Sequence, residues 1–196
     1  MKKKLKICVV LVNRANYGRC KSLMHNLKNN KKVKLQTVVS SSLLLNRFGN
    51  AIRHIENDGF RVDEKIYTAV EGENNETMAK SVGLAIIELS QVFSRLKPDI
   101  VVTVADRYET IATAIAASYM NIIIAHIQGG EITGSIDESV RHSVTKLSHI
   151  HLACTNESKK RIIQMGENKQ NVFNVGCPSI DILKKKFFQK KININN

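Results

Sequence analysis

Residues 75–130 read NETMAKSVGLAIIELSQVFSRLKPDIVVTVADRYETIATAIAASYMNIIIAHIQGG, and the period of their apolar positions changes three times. Met78, Val82, Ala85, Ile86, Leu89, Val92, Phe93 and Leu96 recur at helical spacing, which predicts a helix over Asn75–Leu96 that Pro98 stops. Ile100–Val104 is then a short run, apolar on both faces and rich in β-branched residues, which predicts a strand. Tyr108–Tyr119 returns to helical spacing, and Ile122–Ile127 is again a strand. Strands with two apolar faces need helices on both sides, so this block predicts a parallel sheet covered above and below.

The same alternation extends outward in both directions. Toward the amino end lie strands at Leu5–Leu11 and Val33–Ser40, a weaker one at Lys65–Ala69, and helices at Tyr17–Leu27 and Phe48–Asn57. Toward the carboxyl end lie helices at Ile136–Leu147 and Glu157–Met165, with strands at Ile150–Cys154 and Val172–Val175. Right-handed crossovers between such units give an open, doubly wound α/β sheet. In that architecture ligands bind at the carboxyl ends of the strands, near the point where strand order reverses. The loops so selected are Asn13–Gly18, Ser40–Leu44, Ala105–Glu109, Gln128–Glu138 and Gly176–Ser179.

Composition limits the alternatives. At 196 residues and 43% hydrophobic, the chain has room for one compact domain and a small tail, and only 2 Pro and 10 Gly argue against long linkers. No apolar run has the length of a membrane span, and Asn13-Arg14 interrupts the basic, then apolar, amino end too early for a signal peptide. Cys8, Cys20, Cys154 and Cys177 are scattered without paired spacing, as in a reduced cytoplasmic protein. The net charge of +13 suggests a polyanion partner, but Lys clusters at the ends and over Lys28–Lys34, Trp is absent, and no aromatic stacking platform is present. Neither a nucleic-acid nor a membrane partner is expected.

Several motifs sit on the selected loops. Asn13-Arg14-Ala15-Asn16-Tyr17-Gly18 lacks the glycines of a dinucleotide fingerprint, which disfavours classical NAD binding. Arg14 is read equally as an anion contact at a helix N-terminus and as a surface ion-pair partner. Asp106, before Arg107, is either a helix cap or a site carboxylate, and capping is the commoner use. His126-Ile127-Gln128-Gly129-Gly130-Glu131 leaves a strand into a glycine pair that permits close backbone approach, and His126 also fits a hydrogen-bonded core histidine. Ser135 and Glu138 have capping-box spacing, and Asp137 and Arg141 are spaced as a helical ion pair. His149 and His151 lack a third ligand nearby and are read as structural.

Taken together, Asp106-Arg107, His126 to Glu131, and Gly134-Ser135-Ile136-Asp137-Glu138-Ser139-Val140-Arg141-His142 resemble the hydrolysing UDP-N-acetylglucosamine 2-epimerases of the sialic acid pathway and, in relatives, the legionaminic acid pathway. The resemblance runs from the first strand to Gly176-Cys177-Pro178-Ser179. It implies a Rossmann-like domain over 1–178, the N-terminal half of a GT-B-like two-domain fold, followed by a basic tail over 179–196 where a second domain should begin. It implies a UDP-sugar as substrate, release of UDP and an N-acetylmannosamine-type sugar through a glycal, and no metal or other cofactor. Asp106, Gln128, Asp137 and Glu138 fall on catalytic positions, and Arg14, Arg107, His126, Glu131, Arg141 and His142 on substrate-binding ones. Full-length members are implied to be cytoplasmic homo-oligomers about twice the size of a single domain. The expectation is therefore a truncated chain, poorly active alone, and the alternative is a non-catalytic sugar-nucleotide-binding remnant or a subunit needing a separate C-terminal half. Two positions depart from the pattern. Gln128 stands where other members carry Glu, which leaves a different sugar, as in the legionaminic-type branch, and loss of activity both open. Asn16 stands where Asp is common.

Overall fold

The β-branched runs pair as seven parallel strands: β1 Leu5–Leu11, β2 Val33–Ser40, β3 Glu64–Ile66, β4 Ile100–Val104, β5 Ile123–Ile127, β6 Ile150–Ala153 and β7 Val172–Asn174. Their order in the sheet is β3-β2-β1-β4-β5-β6-β7. The helices are α1 Arg14–Asn29, α2 Ile52–Asn57, α3 Asn75–Leu96, α4 Thr110–Tyr119, α5 Ile136–Leu147 and α6 Asn156–Gln164. This computed structural model describes residues 3–104, 107–181 and 183. The doubly wound arrangement expected from the sequence is present, and strand order reverses between β1 and β4.

Side chains alternate across the sheet, as a strand period of two requires. Ile7, Val9, Leu11, Val102, Val104, Ala125 and Ile127 face α1 and α2, where Met24, Ile55 and Phe60 complete one core. Cys8, Val10, Val12, Val38, Val101 and Ile124 face the other way, against α3, α4 and α5, where Leu89, Phe93, Ala112 and Val144 are buried. Small residues on α4 (Ala112, Ala114, Ala116, Ala117) let it pack between α3 and α5. A smaller cluster of Ala153, Ile162 and Val172 closes β6 and β7 under α6.

Differences from the sequence reading concentrate at element ends. The helix expected over Phe48–Asn57 begins only at Ile52, as the short α2, and Phe48 ends a separate 3₁₀ turn, Asn46–Phe48. Gly49 (φ 77) and Asn50 (φ 48) adopt left-handed backbone and break the helical run between them. The edge strand β3 ends at Ile66, short of the expected Ala69. Residues 178–181 are helical, with Pro178 at the first position, where its missing N–H is harmless. The expected basic tail otherwise lies outside the described residues. No helix among the described residues is long and apolar enough to cross a membrane.

Candidate functional site

The reversal of strand order places the exits of β1, β2 and β4 side by side. At the β1 exit the Asn13 side chain caps α1 by accepting from the Asn16 N–H at 2.9 Å. The helix therefore opens three residues earlier than the apolar period suggests, and Arg14 is its exposed first residue. Asn16 is buried and its amide donates toward the Val104 carbonyl at 3.5 Å, which ties the start of α1 to the end of β4. At the β2 exit Ser41 is left-handed (φ 53), and the Ser42 hydroxyl donates to the Val12 carbonyl at 3.2 Å. At the β4 exit Arg107 is exposed, and its guanidinium lies 5.6 Å from the centroid of the Tyr108 ring. Asp106 itself lies outside the described residues.

Asn13, Arg14, Ala15, Ser42, Phe48, Ala51 and Arg107 line one pocket of about 310 Å³. Two guanidinium groups beside a helix N-terminus make an anion site by charge and by N–H direction. An adjoining pocket of about 360 Å³ runs from Ser41, Ser42 and Arg107 to Thr77 and Met78 at the start of α3. Asn13, Ser42 and Phe48 are not among the candidate residues named from the sequence. The loops of Asn13 and Ser42 are, because the carboxyl-end rule selects loops and does not say which side chain turns inward, whereas the sequence reading puts Phe48 at the start of a helix.

The β5 exit is built differently. His126 is fully buried, with Nδ1 3.3 Å from the Thr145 hydroxyl of α5. Burial, reinforced by His151, Arg141 and His142, pushes its pKa down to about 3, so the ring is neutral at neutral pH. A Cβ on Gly129 would sit 2.9 Å from that ring nitrogen. Gly130 (φ 75) packs on α6, where a Cβ would overlap the Ser158 carbonyl and come within 2.9 Å of Ile162. Its own carbonyl accepts from Arg161. The close approach that the glycine pair permits is thus to this chain's own histidine and helix. Gln128 is left-handed (φ 63) and its N–H donates to the Leu152 carbonyl at 3.0 Å. The Gln128 amide and the Glu131 carboxyl both meet the Cys154 thiol, whose pKa burial pushes up to about 12.

At the start of α5 the structure corrects the capping box. Ser135 occupies the cap position but its hydroxyl makes no capping bond. Glu138 instead reaches past it to accept from the Thr133 N–H (2.7 Å) and the Gly134 N–H (2.8 Å), which lowers its pKa. The left-handed Gly134 (φ 69) curls those two N–H groups toward the carboxylate. His142 Nε2 lies 3.9 Å from Glu138. Arg141 is 2% exposed and donates to the Glu131 carbonyl (3.1 Å) and the Thr133 hydroxyl (3.2 Å), so it holds the loop from beneath. Asp137 is half-buried beside it. His149 Nδ1 accepts from the Ile124 N–H at 3.2 Å, and buried His151 lies 3.3 Å from Glu167. The structure thus gathers Arg14 and Arg107 on one pocket, and His126, Gln128, Glu131, Glu138, Arg141 and His142 in a second assembly farther along the same sheet edge.

The sequence profile of the UDP-N-acetylglucosamine 2-epimerase family matches residues 25–196. A GDP/UDP-N,N'-diacetylbacillosamine 2-epimerase (hydrolyzing) from Campylobacter jejuni is 37% identical over 189 residues, covering 96% of this chain and 49% of that protein. A UDP-N,N'-diacetylbacillosamine 2-epimerase (hydrolyzing) from Legionella pneumophila is 36% identical over 176 residues, covering 90% and 47%. The chain therefore spans about half the length of the curated relatives it matches. The crystal structure of a UDP-GlcNAc 2-epimerase from Neisseria meningitidis, bound to UDP-GlcNAc, superposes with a TM-score of 0.82 at 20% identity, covering 97% of this chain and 51% of that one. At that identity the likeness is one of fold, to half of a GT-B-like pair of lobes. With the profile matched over most of its length, the chain belongs to the UDP-N-acetylglucosamine 2-epimerase family.

Proposed function

We propose that this chain forms the N-terminal lobe of a hydrolysing 2-epimerase for UDP-linked 2-acetamido sugars, with a 2,4-diacetamido sugar preferred. The observation that carries this reading is the pocket at the strand-order reversal, lined by Arg14 and Arg107 beside the N-terminus of α1. The two relatives at 37% and 36% identity, both named for diacetylbacillosamine substrates, support the choice of sugar. This reading sets the protein in the cytoplasmic supply of sialic- or legionaminic-type sugars.

In the reaction, a base takes the C2 proton and the C1–O bond to the diphosphate breaks. The C–H electron pair becomes the C1=C2 bond of a glycal, and UDP leaves with the C1–O pair. Water then adds its oxygen to C1 while C2 takes a proton on the opposite face, inverting that centre. Arg14 and Arg107 stabilise the departing diphosphate. Asp106 and the Asp137-Glu138 pair are the proton-handling carboxylates. The depressed pKa of Glu138 keeps it anionic at neutral pH. Gln128 cannot titrate and hydrogen-bonds a neutral group of the sugar. His142 lies at the sugar beside Glu138, while Glu131, His126 and Arg141 hold the 128–138 loop beneath it. The uridine is assigned to a second lobe facing this one, on the same or a separate chain, in a homo-oligomer.

The test is UDP release from UDP-N-acetylglucosamine and from its 2,4-diacetamido-6-deoxy relative. The expected result is a kcat/KM at least about tenfold higher for the second sugar, since a site that hydrogen-bonds a substrate group discriminates against analogues lacking it. An equal or reversed preference overturns the substrate assignment. A second reading, a sugar-nucleotide-binding lobe without turnover of its own, is favoured by Gln128, whose amide cannot titrate where the family resemblance implies a Glu. Tight binding of either sugar nucleotide with no UDP release would select it.

A further inference from the structure

Glu109 stands at the cap position of α4, where an acidic side chain would ordinarily accept helix N–H groups, yet it makes no capping bond. Its carboxylate is instead only 4% exposed, at the wall of the pocket of about 360 Å³. Oε1 accepts from the Ser41 hydroxyl at 3.2 Å and Oε2 from Arg107 Nε at 3.2 Å. A buried carboxylate is costly unless paired and hydrogen-bonded, so these two contacts, helped by a hydrogen bond from Tyr108, are what keep it there. Each contact ends on something unusual. Ser41 is held in left-handed backbone (φ 53), which a non-glycine residue adopts at a cost. Arg107 is the only arginine that lines both pockets among those described, and with Ser42 and Phe48 it forms the partition between them. The guanidinium has five N–H donors, and the Glu109 contact uses one of them.

We propose that Glu109 is the positioning residue of the sugar-nucleotide site. Its buried carboxylate fixes Arg107 and the β2 exit loop as one rigid partition, so that the guanidinium meets the ligand's diphosphate in a set orientation. This rests on the function proposed above. A charged side chain left to rotate would lose orientation entropy at every binding event, whereas one clamped by Glu109 has lost it on folding. In this role Glu109 acts through Arg107.

The experiment is a double-mutant cycle on the 196-residue chain, with UDP-N-acetylglucosamine as the probe in titration calorimetry. Glu109→Gln is expected to weaken binding about tenfold, and Arg107→Ala by at least as much. The double variant is expected to match Arg107→Ala within about twofold, because Glu109 has nothing left to position. In parallel, the Arg107 Nε–Hε signal in ¹⁵N spectra should be ordered in the wild type and motionally averaged in Glu109→Gln. If Glu109→Gln does not fold, Glu109→Asp, which keeps the charge and shortens the reach, serves in its place with a smaller loss. Losses that add in the double variant, or a Glu109 variant that binds like wild type, overturn the proposal and leave the function standing. A folded wild-type chain that binds no UDP-sugar, alone or with the second lobe supplied, overturns the function itself.

Discussion

The exits of β1, β2 and β4 and the exit of β5 lie on one edge of one sheet, yet they spend their polar residues in opposite ways. At the first group Arg14 and Arg107 are exposed and directed at open pockets, over a floor of small residues and capping bonds. At the second, His126 and Arg141 are buried, each held by a neighbour from α5 or the loop itself. The second region supplies the longest ordered motif in the sequence, and most of that motif is scaffold. It fixes where the 128–138 loop leaves the sheet, so that the Asp137-Glu138 pair is presented at a helix start. A long recognisable block marks the family more reliably than it marks the atoms that touch a ligand.

The largest effect that would break this contrast is expected at Gly130. Its left-handed backbone and its contact with the Ser158 carbonyl leave no room for a side chain. Gly130→Ala combines a backbone penalty with overpacking against α6, on the order of 4 kcal/mol together. Urea unfolding followed by circular dichroism should show a much lower midpoint or no folded state. A midpoint near wild type would mean that the β5 exit is as adaptable as the pocket side.

The next comparison sets two arginines against each other. Arg141→Ala removes a buried guanidinium that satisfies the Glu131 carbonyl and the Thr133 hydroxyl, and should cost about 3 kcal/mol. Arg14→Ala is a substitution at an exposed helix start and should change stability by less than about 0.5 kcal/mol. Binding of UDP-N-acetylglucosamine should respond in the reverse sense, with Arg14→Ala folded but weakened. Equal losses of stability in the two variants would erase the distinction between rim and scaffold.

Much of this contrast was readable from the residues, and some was not. The strands were legible because β-branched runs apolar on both faces have few other uses, and α3 because twenty-two residues of unbroken periodicity leave little choice. The carboxyl-end rule found three of the segments that line the pockets, at Asn13–Gly18, Ser40–Leu44 and Ala105–Glu109, and not the residues over 45–51 and 69–78. The apolar period placed the start of α1 three residues late because Asn13-Arg14-Ala15-Asn16 carries none of it, and its helical state depends on a cap bond and on the Asn16 contact with β4. The expected capping box at Ser135 failed for a related reason. Its spacing is correct, but Gly134 turns two closer N–H groups toward Glu138. Glu109 drew no reading of its own from the sequence because its partners, Ser41 and Arg107, are fixed only once β2 and β4 are brought near each other.

The smallest of the three effects, and the one that resolves His126 most finely, is its response to pH. Burial lowers its folded-state pKa to about 3, against an ordinary value near 6.5 in the unfolded chain. Between those values the unfolded chain binds the proton and the folded one does not, so stability rises with pH across the window. The contribution of this group is complete above about pH 6.5 and is lost as pH falls toward 3. At about 1.4 kcal/mol per pH unit, the loss between pH 6.5 and pH 5 is about 2 kcal/mol. His151, also buried with a lowered pKa, adds a loss of the same sign. Glu138 and Asp58, whose pKa values are lowered, lose their contributions only at more acid pH and fall outside the measured interval. Chemical denaturation at pH 7, 6 and 5 should therefore show a falling stability in the wild type. His126→Gln should show a shallower fall, whatever its stability at pH 7, with the remaining slope traced to His151 by the double variant. An unchanged slope in His126→Gln would mean that the ring reaches solvent and protonates in the folded chain. In that case His126 would move from the scaffold to the rim, beside Arg14 and Arg107.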